Sequence, residues 1–494
     1  VVVALSRFEM AAIAPTRRAA AVVASRGVST TPLAASAIAG APPAARQDKE
    51  GGTIADLFVN LGKEVDPMEP RFAELKELLR SQYGLTPSVR DDAWRRLEAA
   101  MARTSSRLAA LDSPSDIVPI VEFDDVAAAG GFTEEQADAI REVGSVVVRG
   151  VVPAEQALAW KADVRRYYAA HPGIRGFPED HPQVYELYWT PAQVQARQHA
   201  GVYLTTTLLN KLWLRGGAAA ADDRAFSAHG FAYCDRLRIR DPGDAKFALG
   251  PHVDGGGIER WEDEEYRACY ASILSGDWEA HDAFAPEHRV RAAMDLYSTP
   301  NACTAFRTFQ GWMALSDTAP GEGTLRVHPD VKTSTAYILL RPFLDDIAGT
   351  DFPGAVPGTA QDVNSVFHAP ICEQMVSVPA VRPGDMVFWH GDVVHAVEAQ
   401  HRGQADSSVF YIPAVPSCGV NGRYMARQRA QFVAGRTPPD FPQNNSEVGF
   451  DDRGAEADLT PLGRRMMGLD SWASADASDE LVAVGGPTTG AALR

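Results

Sequence analysis

The chain predicts an α+β fold in which a helical N-terminal region leads into a double-sheet barrel or jelly roll. Three observations predict it. Apolar residues at Ile54, Leu57, Phe58 and Leu61, and again at Phe72, Leu75, Leu78 and Leu79, recur at three- and four-residue steps, the spacing of one helical face. Beyond residue 230, short runs rich in β-branched and aromatic residues take over, divided by Gly and Pro, as in cores built of many short strands. A stretch at 257–300 carries Trp261, Tyr266, Tyr270 and Trp278 around an acidic Glu262-Asp263-Glu264-Glu265; it looks helical and reads as an insertion into that core.

Taken in order, residues 1–47 stand apart. Ala11 to Gln47 contains no Asp or Glu, while Arg17, Arg18, Arg26 and Arg46 sit among Ala, Ser and Thr. That composition is the one of a mitochondrial transit peptide, with a disordered Ala-rich tail as the alternative and Met10 rather than Val1 as the expected start. The matrix is the compartment it implies, the cytoplasm the other reading. Residues 48–118 form the helical region, whose third stretch (91–111) keeps Arg95, Arg96 and Arg103 on its polar side. A linker around Pro114 and Pro119 follows. The run 142–153 is a buried strand ending in a turn, and 154–168 an amphipathic helix; both read as packing. Strands are expected at 237–240, 309–315, 323–327, 334–340, 374–378, 385–389 and 407–412. The barrel domain then spans 119–440, with the insertion at 257–300. Residues 441–494 form a C-terminal extension whose tail is disordered from about 471.

Composition narrows the function classes. The formal charge of -17 argues against nucleic acid or an anionic membrane as partner and leaves a small-molecule substrate open. Residues 1–47 hold five Arg and one Glu, so the remainder carries -21. The five cysteines are widely separated, which disfavours a disulfide framework or a structural zinc site. No window approaches the ~20 continuous apolar residues of a membrane span. Phosphate-binding loops and a nucleophile elbow are missing too.

His252-Val253-Asp254 is the leading chemical motif. Side chains alternate along a strand, so residues two apart point the same way and bring an imidazole and a carboxylate to one ion. A further His completes a set of two His and one carboxylate, which leaves coordination positions open and suits non-haem Fe(II) oxygen chemistry. Two histidines compete for that place. His395 opens an apolar stretch after the Gly391-Asp392 turn; His390 follows Phe388-Trp389 and reads as a hydrogen-bonded wall residue. A second His-x-Asp, His328-Pro329-Asp330, is chemically as able to bind a metal. Gly255-Gly256-Gly257 permits close backbone approach beside Asp254 or is a plain loop.

Several pieces in order resemble the Fe(II)/2-oxoglutarate-dependent oxygenase superfamily, in its phytanoyl-CoA dioxygenase-like branch, and within it a family shared by bacteria and fungi. They are the opening strand and helix at 146–168, His252-x-Asp254, Gln310-Gly311-Trp312-Met313-Ala314-Leu315-Ser316-Asp317, the run from Gly321 to Pro329, and Gly384-Asp385 followed by His395. The resemblance covers roughly residues 135–420. It implies a double-stranded β-helix (jelly-roll, cupin-like) core, and it favours His395 over His390 and His252/Asp254 over His328/Asp330 as metal ligands. It also implies Fe(II), with 2-oxoglutarate as co-substrate and O₂, and hydroxylation of a small molecule with release of succinate. Gly255, Gln310 and Trp389 are then expected to line the substrate pocket. One departure stands out. The Arg-x-Ser expected past the distal His, which would fork onto the far carboxylate of 2-oxoglutarate, reads Ala405-Asp406-Ser407. Arg402 is the first substitute, Arg307 the second and Lys246 a third, with Ser407, Ser408 or Tyr411 adding hydroxyls. The departure keeps two other readings in view: a cupin-like metal enzyme that does not use 2-oxoglutarate, and a non-catalytic barrel with a vestigial metal site.

Overall fold

A computed structural model describes residues 49, 51–64, 66–214, 226–443 and 447–472. The segment read as an address, and the tail beyond Trp472, lie outside the described residues. Trp472 itself stacks on Tyr203 and His229, each with ring centroids 5.4 Å away, so the extension remains packed slightly past the point where the sequence suggests a loose tail.

The helical region forms as its periodicity predicts from Arg71 onward. Helix Arg71–Tyr83 buries Phe72, Leu75 and Leu79, and helix Pro87–Ala109 buries Ala93, Leu97 and Met101. Thr86 starts the second helix by accepting a hydrogen bond from Val89 N, and Pro87 fills a first-turn position that has no amide partner to lose. Residues 54–61 differ from expectation. They make two single 3₁₀ turns, Ile54–Asp56 and Val59–Leu61, separated by extended backbone at Phe58. A helix this short gains little from its own hydrogen bonds, and burial of Ile54, Leu57 and Phe58 against the sheets decides the path instead.

Two sheets dominate the described residues. The eight-stranded sheet runs Ile120–Glu122, Ser145–Arg149, Met386–His390, Phe309–Ala314, Ser407–Tyr411, Leu237–Arg240, Val184–Tyr185, Gly176–Phe177. The five-stranded sheet runs Gln361–Asp362, His252–Val253, His395–Val397, Leu325–Val327, Val376–Ser377. Neighbours pair antiparallel except Ile120–Glu122 with Ser145–Arg149. The molecule is thus a mixed helix-and-sheet protein with large sheets. In the centre of the larger sheet Gly311 faces Phe388, and a Cβ there would fall 2.4 Å from the Phe388 ring, so only glycine fits beside that aromatic.

The expected strands form within two residues of their predicted ends, with one exception. Residues 334–340 lie in helix Val331–Leu340. Its residues from Thr333 to Leu340 are all buried, so no polar face marks the helical period and the run resembles a core strand. Asp330 caps it, accepting from Thr333 N at 3.0 Å. The 257–300 insertion holds short helices Glu259–Glu262, Glu264–Ala268 and Ala271–Leu274. It is built into the interior: Trp261, Tyr266, Tyr270 and Ile273 join the core formed by the two N-terminal helices and helix Val331–Leu340. Its acidic run is tied down, Glu262 to Arg71 and Tyr297, and Asp263 as a helix cap.

Candidate metal centre

His252 and His395 are direct cross-strand partners in the five-stranded sheet. Opposed residues in an antiparallel pair share a face with Cβ atoms about 5 Å apart, and the two imidazole centroids here stand 4.1 Å apart. Asp254 follows one residue past the end of its strand. Its Oδ1 lies 3.6 Å from His252 Nε2 and its Oδ2 3.8 Å from His395 Nε2. One ligand atom from each of the three lies within 4.8 Å of the others.

Hydrogen bonds orient both rings. His252 Nδ1 donates to the Gly250 carbonyl at 2.7 Å and His395 Nδ1 to the Val393 carbonyl at 3.0 Å. A carbonyl only accepts, so Nδ1 carries the proton and Nε2 turns its lone pair towards Asp254, the arrangement of a metal-binding imidazole. Burial, with the positive potential of His252 beside it, pushes the His395 imidazolium down to about 3. Burial opposes the charged form of Asp254, but His252, His395, Arg307 and Arg260 outweigh it and hold its carboxyl below the usual range. Neutral imidazole and ionised carboxylate are the states a metal requires. Two nitrogens and one carboxylate oxygen converging without a bridging donor fit a divalent cation, and this ligand set suits Fe(II).

The turn after Asp254 depends on glycine. Gly255 and Gly256 have φ of 81° and 84°, and a Cβ on Gly256 would fall 2.6 Å from the Met294 carbonyl. Arg260 Nη2 donates to the Asp254 carbonyl at 2.7 Å and fixes the backbone that carries the carboxylate. Phe58 meets the His252 ring edge-on at 4.9 Å, and Trp389 lies 5.2 Å from His395.

A cavity of about 150 Å³ opens beside the three side chains, lined by both sheets. Arg307, Ser407, Gly255, Gln310 and Trp389 all line it. The buried Gln310 Nε2 and Trp389 Nε1 have no hydrogen-bond partner among the described residues. Arg402 is elsewhere: it is exposed, and its Nε donates to Gln400 Oε1 at 3.2 Å. Its strand-end position in sequence suggests proximity, but the 398–406 loop turns the side chain outward. Lys246 is exposed too and does not line the cavity. His390 is a wall residue. It stacks on Trp213 at 4.9 Å, donates from Nε2 to the Ala283 carbonyl at 2.9 Å and accepts from Asp392 N at 3.0 Å. His328 and Asp330 belong to the helix they precede and do not join the cluster.

Three arginines of the cavity were not anticipated: Arg236, Arg238 and Arg240. The signal was present, because Arg238 and Arg240 alternate along the strand Leu237–Arg240 and share a face, and Arg236 precedes it at the same interval. Arg236 pairs with Asp235 at 3.2 Å, and Arg240 with Asp244 at 2.8 Å. Arg238, 6% exposed, donates to Gln183 Oε1 and the Phe247 carbonyl, while its Nε is buried without a partner among the described residues.

The Gig2-like family model matches residues 66–469. YbiU of Escherichia coli (strain K12), an uncharacterised protein, is 33% identical over 411 residues, covering 80% of this chain and 95% of that protein. The crystal structure of the hypothetical protein JW0805 from Escherichia coli matches with a TM-score of 0.71 at 32% identity, over 82% of this chain and 99% of that one. The structure of GlcNAc Inducible Gene 2, GIG2 (DUF1479), from Candida albicans matches with a TM-score of 0.74 at 30% identity, over 85% and 94%.

Proposed function

The chain belongs to the Gig2-like family, and from that premise we propose that it is an oxidoreductase, a non-haem Fe(II)/2-oxoglutarate-dependent dioxygenase that hydroxylates a small molecule. One observation carries the reading: His252, Asp254 and His395 converge within 4.8 Å beside a cavity lined by arginines. The two largely antiparallel sheets that bear the ligands and the cavity support a double-stranded β-helix core, as in the phytanoyl-CoA dioxygenase-like branch.

Fe(II) held there would couple decarboxylation of 2-oxoglutarate, to succinate and CO₂, with transfer of one oxygen atom of O₂ to the substrate. The chain's own residues supply position and charge. His252 and His395 present Nε2 because backbone carbonyls hold their other nitrogens. Asp254 brings the negative charge, and Phe58 and Trp389 shield the two rings. A far carboxylate needs a cation, best a guanidinium fork. Two cavity arginines lack a carboxylate in hydrogen-bonding range among the described residues, Arg238 and Arg307. Ser407 pairs with Arg240 across adjacent strands and accepts from Thr318 Oγ1 at 3.3 Å, while Val409 is the residue opposite Arg238.

Succinate release tests the proposal. Protein loaded anaerobically with Fe(II) and then given O₂ and 2-oxoglutarate should release succinate above a metal-free control. Intact iron binding with no succinate would overturn it, in favour of a metal enzyme that does not use 2-oxoglutarate or a non-catalytic barrel.

A further inference from the structure

With a divalent metal bound, the cavity would hold more positive charge than one dicarboxylate can neutralise. Arg236, Arg238, Arg240 and Arg307 line it among the described residues. Asp235, Asp244 and Asp254 stand against them, at 3.2 Å from Arg236, 2.8 Å from Arg240 and 3.7 Å from Arg307. One positive charge is left over. A divalent metal adds two and 2-oxoglutarate removes two, so one remains. An unpaired charge in a buried site is costly.

Position separates the two arginines that lack a hydrogen-bonded carboxylate. Arg307 stands against the metal ligands, with its Nη2 3.7 Å from Asp254 Oδ2 and its guanidinium 5.9 Å from the Tyr233 ring. Its side chain is 13% exposed, and no hydrogen-bond acceptor reaches it among the described residues. A metal on Asp254 would take up the carboxylate that stands 3.7 Å from it, and Asp235, which also acts on Arg307, is paired with Arg236. Asn301 faces the same cavity; its Oδ1 accepts from Arg236 at 2.9 Å, while its buried Nδ2 has no partner among the described residues. Arg238 belongs to the other sheet, on the strand Leu237–Arg240. A 2-oxoglutarate held by its keto-acid end carries its far carboxylate three bonds further along; Arg238, on the sheet that does not bear His252 and His395, suits that carboxylate better than Arg307, which stands 3.7 Å from Asp254.

Resting on the oxygenase reading above, we propose that the primary substrate is a singly charged acid with an apolar body, whose anionic group is bound by Arg307 and Asn301, and that Arg238 is left for the far carboxylate of 2-oxoglutarate. The apolar body has matching walls in Leu57, Phe58, Leu249 and Phe441. The pocket therefore selects by charge against neutral and cationic analogues of the same shape.

Equilibrium binding to Mn(II)-loaded full-length protein tests the assignment, using 4-phenylbutyrate, its neutral amide and 2-oxoglutarate as probes and Trp fluorescence as readout, since Trp312 and Trp389 line the cavity. The carboxylate should bind roughly tenfold or more tightly than the amide, the scale of a charge-assisted hydrogen bond. Arg307→Gln should abolish that preference and leave 2-oxoglutarate affinity within about threefold; Arg238→Gln should do the reverse, weakening 2-oxoglutarate about tenfold or more. Arg307→Lys, which keeps the charge, should restore part of the preference, and unliganded melting curves identify a variant that has not folded. Equal binding of acid and amide to the wild type, or loss of 2-oxoglutarate rather than 4-phenylbutyrate in Arg307→Gln, would overturn the proposal. If 2-oxoglutarate binds no variant and not the wild type, while the acid preference still depends on Arg307, the anion site stands and the 2-oxoglutarate reading falls.

Discussion

His252-Val253-Asp254 and His328-Pro329-Asp330 share one three-residue pattern and have opposite fates. At the first, the Nδ1 proton is fixed by Gly250, the Nε2 lone pair is turned inward, and no hydrogen bond engages the Asp254 carboxylate oxygens among the described residues. At the second, everything is used. His328 engages the Asp330 carbonyl at 3.1 Å and Gln374 Oε1 at 3.0 Å, while the Asp330 carboxylate caps a helix and accepts from Thr104 Oγ1 at 3.4 Å. The lesson is that ligand capacity belongs to atoms left unspent by the fold, and residue type alone does not reveal which are left.

The comparison breaks most sharply on metal content. His252→Ala or Asp254→Ala should lose the metal, an effect beyond the ~10–100-fold that an outer hydrogen-bonding partner contributes, whereas His328→Ala should retain it in full. Iron analysis of purified variants checks this, and iron kept by the first pair but lost by the last would reverse the assignment.

A pH effect comes next. Burial pushes the Glu259 carboxyl up to about 8, from an ordinary value of 4.5, although Gly257 N and Leu296 N donate to it. Between those two values the unfolded chain gives up this proton while the folded chain keeps it, so the group lowers stability as pH rises, by a few kcal/mol in order of magnitude. Urea unfolding at pH 5 and pH 8 should therefore show a smaller loss in Glu259→Gln than in wild type. An equal loss would mean that the turn behind Asp254 holds an ionised carboxylate.

The second motif should respond in stability alone. His328→Ala leaves the buried Gln374 Oε1 unpaired and should cost about 1–3 kcal/mol. Asp330→Ala removes a helix cap and should cost about 1 kcal/mol. Both are read from denaturant midpoints, with metal content unchanged; a loss of metal in either would join the two regions that the structure separates. Smallest of all, Arg402→Ala should leave 2-oxoglutarate affinity unaltered in the same fluorescence titration, since the side chain points away from the cavity.

Much of the fold was legible because period is a strong signal. The Phe72–Leu79 face follows from spacing, while the strands around Phe309 and Met386, buried at every position, follow from apolar and aromatic runs bounded by Gly and Pro. Val331–Leu340 was not legible, since a helix buried on nearly every side has no polar face to show its turn. The convergence of His252 and His395 was legible only through the order of several motifs, as 142 residues separate the two in sequence. The arginine cluster was half visible. Alternation at 236, 238 and 240 announces a common face, but whether that face meets solvent or a cavity depends on the strand Ser407–Tyr411 beside it. Arg402 misled for the converse reason: nearness in sequence says nothing of the direction in which a loop residue points.

The pairing of His395 with His252 has a consequence for how the protein can be assayed. Side chains alternate between faces, so a slip of one residue in that pairing would send one imidazole to the far side of its strand. Metal uptake is then a reading of registry. In a refolding experiment, the fraction of chains that capture Mn(II) would count the molecules in which these two strands, 142 positions apart in the chain, have found each other in alignment.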